Sequence, residues 1–275
     1  ELVPELARFF PEDTAFDQLM GCEGEKFRHV KTRRTLKFER GGKNYFIKIH
    51  RACGWREVWK NWLGFKHPVT SARMEWMAID RLQALGVPTL NVVGRGIRGK
   101  APAHEESFVV TEALEGMISL EQLTQNWGSL PPSQRLALKR ELIRQVATIA
   151  RTIHRNGLNH RDFYLCHFLV KDRDWNEWQP ADSLMLHVID LHRMQHRPAV
   201  PERWWVKDVA GVLFSALDCD LTRNDLLRFS KIYWDGSVRE LLGERQGVLQ
   251  KIYRKACKLY ASIHDREAPD PVAKS

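Results

Sequence analysis

The stretch Asn159-His160-Arg161-Asp162-Phe163-Tyr164-Leu165-Cys166-His167-Phe168-Leu169 decides how this chain is read. It follows a long amphipathic segment and precedes an apolar run that ends in a second aspartate, Asp190. An Asp in a loop after His-Arg, with another Asp at the end of a later strand, suits phosphoryl transfer. The first carboxylate receives the proton of an attacking hydroxyl, and the second holds a divalent cation beside the transferring phosphate. The tripeptide His160-Arg161-Asp162 alone is a weak signal, so its surroundings carry the argument.

Upstream, three short extended runs cover Lys26 to Val30, Thr35 to Glu39 and Asn44 to Ile49, the last two flanking the hairpin turn Arg40-Gly41-Gly42-Lys43. Lys48 lies in Tyr45-Phe46-Ile47-Lys48-Ile49, on the third strand, where a kinase lysine meets ATP phosphates. The spacing predicts a helix from Ser71 to Leu85 with Met74, Met77, Ala78, Leu82 and Leu85 on its apolar stripe, ended by Gly86 and Pro88. Glu75 on that helix is the acid that would hold Lys48 against the phosphates. A solvent-facing lysine and a surface glutamate are the plain alternatives. Strands are expected at Leu90 to Val93 and Ser107 to Thr111. After them, the backbone at Glu112 and Leu114 would grip adenine, and Glu115-Gly116-Met117 would be a hinge.

Beyond the hinge the pattern turns helical. Ser133 is placed as N-cap of a helix carrying Leu142, Val146, Ile149 and Ile153 and closed by Gly157. Strands are expected at Phe168 to Val170 and Leu184 to Ile189, and helices at Val206 to Leu217 and over most of Arg223 to Ile263. Asp208 is read as structural, bonding the backbone of the loop that carries Asp162. The implied architecture is α+β and bilobal, protein-kinase-like, with a strand-rich lobe over residues 1–115 and a helical lobe over 116–275.

Composition narrows the class. Hydrophobic residues make up 43% of 275, enough for a packed core. The longest apolar run, Val209 to Leu217, is about half of the ~18 residues a membrane span needs. The opening Glu1-Leu2-Val3-Pro4-Glu5 carries acid where a signal peptide would be positive, so a soluble, cytosolic chain is expected. Five scattered cysteines without C-x-x-C spacing read as reduced thiols. Net charge is +9, and Lys26 to Lys60 holds twelve Lys or Arg against Glu39 and Glu57. That is either a solvated basic face or a surface for an anionic partner: nucleic acid, phosphorylated lipid or an acidic protein. Within it, Trp55, Trp59 and Trp62 at helical spacing form an aromatic stripe that is either core or interfacial.

Two departures from the kinase pattern stand out. His167 occupies the position of the asparagine that holds a second metal, and imidazole is a poor magnesium ligand, so a single metal or an orienting role toward Asp162 is expected. The glycine-rich loop is replaced by the basic turn Val30-Lys31-Thr32-Arg33-Arg34-Thr35, which would meet phosphates by side-chain charge. From Leu191 through Lys207 there is no Ser, Thr or Tyr, while His192, Arg193, His196, Arg197, Arg203 and Lys207 make the segment basic. That points away from a phosphorylation-regulated protein kinase and toward an anionic substrate.

Lys31-Thr32-Arg33-Arg34-Thr35-Leu36, Tyr45-Phe46-Ile47-Lys48, the Asn159 to Leu169 loop and Val188-Ile189-Asp190-Leu191-His192-Arg193 closely resemble the lipopolysaccharide core heptose(I) kinase family, from about residue 25 to near the C-terminus. A loop with His167 is that family's own form. The resemblance implies ATP and Mg2+ as cofactors, with Asp162 catalytic and His167 beside it. Lys48, Glu75 and Asp190 are implied as nucleotide and metal groups. It also implies a Gram-negative enzyme phosphorylating the first heptose of the lipopolysaccharide inner core at the cytoplasmic face of the inner membrane. An acidic protein partner is a further expectation, and nucleic acid is not. Competing readings are a protein or small-molecule kinase, a pseudokinase binding anionic lipid, and a cysteine hydrolase using Cys166 and His167.

Overall fold

The computed structural model describes residues 1–30, 33–52, 71–101 and 103–271. The Trp55, Trp59 and Trp62 stripe and part of the basic turn, Lys31 and Thr32, lie outside the described residues. The chain forms two compact units, Glu1–Ala84 with Thr89–Glu115 and Leu191–Arg193, and Leu85–Pro88 with Gly116–Asp190 and Met194–Ser275.

The first unit opens with two short helices, α1 (Pro4–Ala7) and α2 (Ala15–Met20). Strands β1 (Glu25–Val30), β2 (Arg33–Arg40) and β3 (Lys43–His50) follow, then helix α3 (Arg73–Ala84) and strands β4 (Val92–Arg98) and β5 (Glu106–Glu112). The five strands make one antiparallel sheet in the order β1-β2-β3-β5-β4. Gly41 and Gly42 both adopt positive φ, 59° and 74°, the left-handed pair that a tight hairpin requires. Alternation sorts the faces: Leu36, Phe38, Tyr45, Ile47 and Ile49 join Leu6 and Leu19 in one core. Phe46 and Lys48 are left on the other face of β3. Val109, cross-strand neighbour of Lys48, packs there with Ala72 and Trp76.

Helix α3 is rotated from the expected stripe. Its buried residues are Glu75, Trp76, Ala78, Ile79 and Leu82, while Met74 is 47% exposed. A carboxylate is accepted inside because a cation waits on the sheet below it. Strand β4 starts later than expected and runs on to Arg98, since its whole length pairs with β5.

The second unit begins with β6 (Met117–Ser119) and α4 (Leu120–Asn126), whose Ser119 and Gln122 form a reciprocal capping box. Helix α5 (Pro132–Arg155) buries Leu138, Leu142, Val146, Ile149 and Ile153 along one stripe. Its N-cap is Pro131 rather than Ser133; proline at the first helical position stands where an N–H would go unused. Short strands β7 (Leu158–Asn159), β8 (Phe168–Lys171), β9 (His187–Val188) and β10 (Gln195–His196) follow. They pair as β10-β7 and β6-β8-β9. The expected Leu184 to Ile189 strand shrinks to β9 because the Gln145 side chain takes the Leu184 carbonyl and the Leu186 N–H in place of a ladder partner. Helices α6 (Glu202–Ala216), α7 (Arg223–Trp234), α8 (Val238–Gly243) and α9 (Gln246–His264) complete the unit. The last three divide what the sequence reads as one helical stretch, since Asp235 ends α7 at φ 61° and Ser237 caps α8. Among the described residues no helix is long and apolar enough to cross a membrane. Cys22, Cys166, Cys219 and Cys257 are free thiols.

Candidate active site

In the first unit Lys48 Nζ lies 2.6 Å from Glu75 Oε1, in an ion pair whose glutamate is almost wholly buried. The other oxygen, Oε2, has no hydrogen-bond partner among the described residues, so the lysine is what compensates this buried charge. Glu112 has its N–H on the Asn91 carbonyl and its carboxylate on Asn91 Nδ2, and the N–H of Ala113 goes to the Asn44 carbonyl. Leu114 is the next residue along. Arg34, expected to face phosphates, donates to the Met20 carbonyl at 3.1 Å.

In the second unit the Asn159 to Phe168 segment is pinned from four sides. Asp208, fully buried within α6, accepts from the backbone N–H of His160 at 2.6 Å and of Arg161 at 2.8 Å, as its sequence position suggests. Lys207 Nζ donates to the Arg161 carbonyl at 2.5 Å. Arg161 itself sits at φ 75°, a left-handed conformation that costs a non-glycine residue and persists only where its surroundings impose it. Strand β10 pairs with β7, and Gly157 at φ 74° permits the approach: a Cβ there would meet the Arg197 carbonyl oxygen at 1.9 Å. Gly211 lets α6 pass under the loop, with a Cβ position only 3.0 Å from the Phe163 carbonyl oxygen.

Two histidines then join the Asp162 loop to the segment bearing Asp190. His160, fully buried, has its Nε2 3.0 Å from the Ile189 carbonyl, which can only accept, so Nε2 carries the proton. Its Nδ1 has no hydrogen-bond partner among the described residues, and burial pushes the ring's pKa below the ordinary histidine value. By the same logic His167 Nδ1 donates to the Asp162 carbonyl at 2.7 Å, while its Nε2 lies 3.6 Å from Asp190 Oδ2. The two rings stack with 19° between their planes. Backbone closes the link where the Ile189 N–H donates to the His167 carbonyl at 3.0 Å. Asp190 lies at φ 59°, turning sharply out of the apolar run.

Cys166 is ill suited to a hydrolase. Burial first, then the Glu121 carboxylate, push its thiol up to about 11, so almost no thiolate exists near neutrality. No cage of three or more His, Cys, Asp or Glu side chains occurs among the described residues.

Sequence reasoning missed the Lys207 brace, the Gly157 approach and the contact of His160 with Ile189. Lys207 was visible only as part of a basic segment, because the Arg161 carbonyl it takes is a backbone group that leaves no side-chain signature.

The family model described as Lipopolysaccharide kinase (Kdo/WaaP) family matches residues 17–233. The lipopolysaccharide core heptose(I) kinase WaaP of Pseudomonas aeruginosa is 46% identical over 245 residues, 89% of this chain and 90% of that protein. The WaaP of Escherichia coli K12 is 42% identical over 256 residues, 93% and 95% of the two chains. A solved structure of WaaP in complex with acyl carrier protein superimposes with a TM-score of 0.79 at 40% identity, covering 94% of this chain and 98% of that one. Its likeness agrees with the α+β, bilobal, kinase-like architecture read from the strand-rich and helix-rich halves. With its family matched over most of its length, this chain belongs to the lipopolysaccharide kinase (Kdo/WaaP) family.

Proposed function

We propose that this kinase uses ATP to phosphorylate the first heptose of the lipopolysaccharide inner core, with Asp162 accepting the proton of the attacking sugar hydroxyl. His167 positions Asp162 through its backbone carbonyl. Lys48, held by Glu75, contacts the nucleotide phosphates, and backbone at Glu112 and Leu114 contacts adenine. Since the Glu112 N–H is already bonded to Asn91, that contact falls to other backbone groups, the Leu114 N–H first.

Asp190 fits magnesium. It offers a hard carboxylate oxygen on a fixed turn, and this metal takes its remaining ligands from phosphates and water. Magnesium bound there would neutralise charge on the transferring phosphoryl group. The observation that carries the reading is the double histidine link between the Asp162 loop and the segment bearing Asp190. A base and a metal ligand serving one in-line transfer need a fixed separation.

Mass spectrometry of inner-core lipopolysaccharide, before and after enzyme and ATP, tests the proposal. A phosphate increment on heptose with wild type, absent with Asp162→Ala, is expected; no increment with wild type sinks it.

The acceptor is a membrane glycolipid, so the working place is the cytoplasmic face of the inner membrane, reached by peripheral contact. An acyl carrier protein is proposed as a partner on a separate observation. A cavity of about 340 Å³ in the second unit, within the roughly 300–1,000 Å³ of ordinary ligand pockets, is lined by Leu142, Val146, Val212, Leu213, Leu226 and Ile252 among others. Such a lining suits hydrocarbon. Native mass spectrometry with acylated and unacylated carrier protein is expected to show binding that needs the acyl chain; equal binding of both forms removes the cavity from the account.

A further inference from the structure

Trp204, in the first turn of α6, has three guanidinium groups on its ring. The Cζ atoms of Arg161, Arg197 and Arg203 lie 5.0, 5.6 and 5.2 Å from the indole centroid. One aromatic face attracts a cation, but three like charges gathered on one ring repel one another. Arg197 donates to Asn159 Oδ1 and Gln195 Oε1, both neutral amides. Neither Arg197 nor Arg203 has a carboxylate partner among the described residues. Arg161 is the immediate neighbour of Asp162.

Arg203 also faces the other way. It lines a groove of about 380 Å³ between α6 and α9, together with Lys251, Arg254, Lys255 and Lys258. Those four fall at i, i+3, i+4 and i+7, one exposed stripe of α9. Glu202, the groove's one acid, is engaged by Lys251, which leaves Arg254, Lys255 and Lys258 without carboxylate partners among the described residues. The positive charge is therefore continuous from the residue beside Asp162, across Trp204 and Arg203, into the α9 groove.

We propose that this tract is the acceptor subsite: the Arg161–Arg197–Arg203 cluster receives an oxyanion next to the phosphorylated sugar, and the α9 groove receives anionic groups farther along the same glycolipid. The ligand chemistry is a carboxylate of an acidic sugar or a phosphate monoester. Guanidinium groups bind both through paired N–H donors, and the ammonium groups of α9 serve as point charges. The inference rests on the glycolipid-kinase reading.

The test is steady-state kinetics of the full-length protein with ATP and core glycolipid. Arg203→Gln is expected to raise the KM for glycolipid about tenfold, the cost of one charge-assisted contact, with little change in the KM for ATP. Arg203→Lys is expected to recover part of that loss. Arg254→Gln with Lys258→Gln should act in the same direction and flatten the salt dependence of the acceptor KM.

Acceptor with reduced carboxylates and acceptor with lipid phosphates removed identify the source. The Arg203 effect should vanish with whichever group the cluster binds, and an effect that survives both treatments overturns the proposal. So does an unchanged acceptor KM in a folded Arg203→Gln variant, or a loss of anionic-vesicle binding without any change in acceptor KM, which would assign the tract to the membrane surface. Wild-type enzyme that transfers no phosphate to glycolipid would instead overturn the parent reading.

Discussion

His167 donates its Nδ1 proton to the Asp162 carbonyl at 2.7 Å and turns its other nitrogen toward Asp190, 3.6 Å away. One ring thus holds the backbone of the aspartate proposed as the base and stands beside the carboxylate proposed to hold the metal. His167→Ala is expected to lower kcat by about 10–100-fold, the usual effect of losing a group that orients a ligand, while nucleotide binding persists. His167→Gln, which keeps a donor, should lose less. Turnover and ATP titration on each variant separate the two effects; wild-type kcat in His167→Ala would remove the role.

Lys48 and Glu75 form a second coupled pair, with the carboxylate buried. Lys48→Met leaves that charge uncompensated and should cost about 3–5 kcal/mol of stability, visible in urea denaturation. Adding Glu75→Leu should restore much of the stability but not the activity, which is expected to stay on the order of 10²–10³ below wild type.

Asp208→Ala strands the N–H groups of His160 and Arg161, each now held by a buried carboxylate. Two charge-assisted bonds at about 1.5–3 kcal/mol apiece predict a loss of roughly 3 kcal/mol or more. Phosphoryl transfer should fall with it, because the loop carrying Asp162 loses its anchor. Wild-type activity in a destabilised Asp208→Ala protein would show that the anchor serves folding alone.

Stability should also fall on acidification below the ordinary histidine range. Burial lowers the pKa of His160 in the folded state, so at mildly acidic pH the unfolded chain binds the proton more readily. Stability from this group is therefore fully present above the unfolded histidine value, 6.5, and declines as pH drops below it. His187, lowered by burial as well, adds in the same direction. Urea midpoints measured between neutrality and mild acid should shift down, and His160→Phe should weaken that dependence.

The sheet strands were legible because alternation in Thr35 to Glu39 and Asn44 to Ile49 divides the residues between two faces whatever covers them. Lys48, Glu75, Asp162, His167, Asp190 and Asp208 were legible as residue types at kinase-like spacing. The rotation of α3 was not, because an apolar stripe drawn from composition puts Met74 inside and leaves Glu75 on the surface. The short β9 was hidden as well: nothing local in Leu184 to Ile189 reveals that the distant Gln145 takes its backbone groups.

Sequence by itself thus determined the fold class and singled out the candidate acids and lysine, since hydrophobic period and motif spacing are properties of the chain. Only the tertiary structure decided how they are held. The proton positions on His160 and His167, the anchoring of two N–H groups by Asp208 and the gathering of Arg161, Arg197 and Arg203 on Trp204 depend on which backbone carbonyls and rings lie within hydrogen-bond or van der Waals reach. Those partners stand up to 48 residues apart in the chain, and packing alone brings them together.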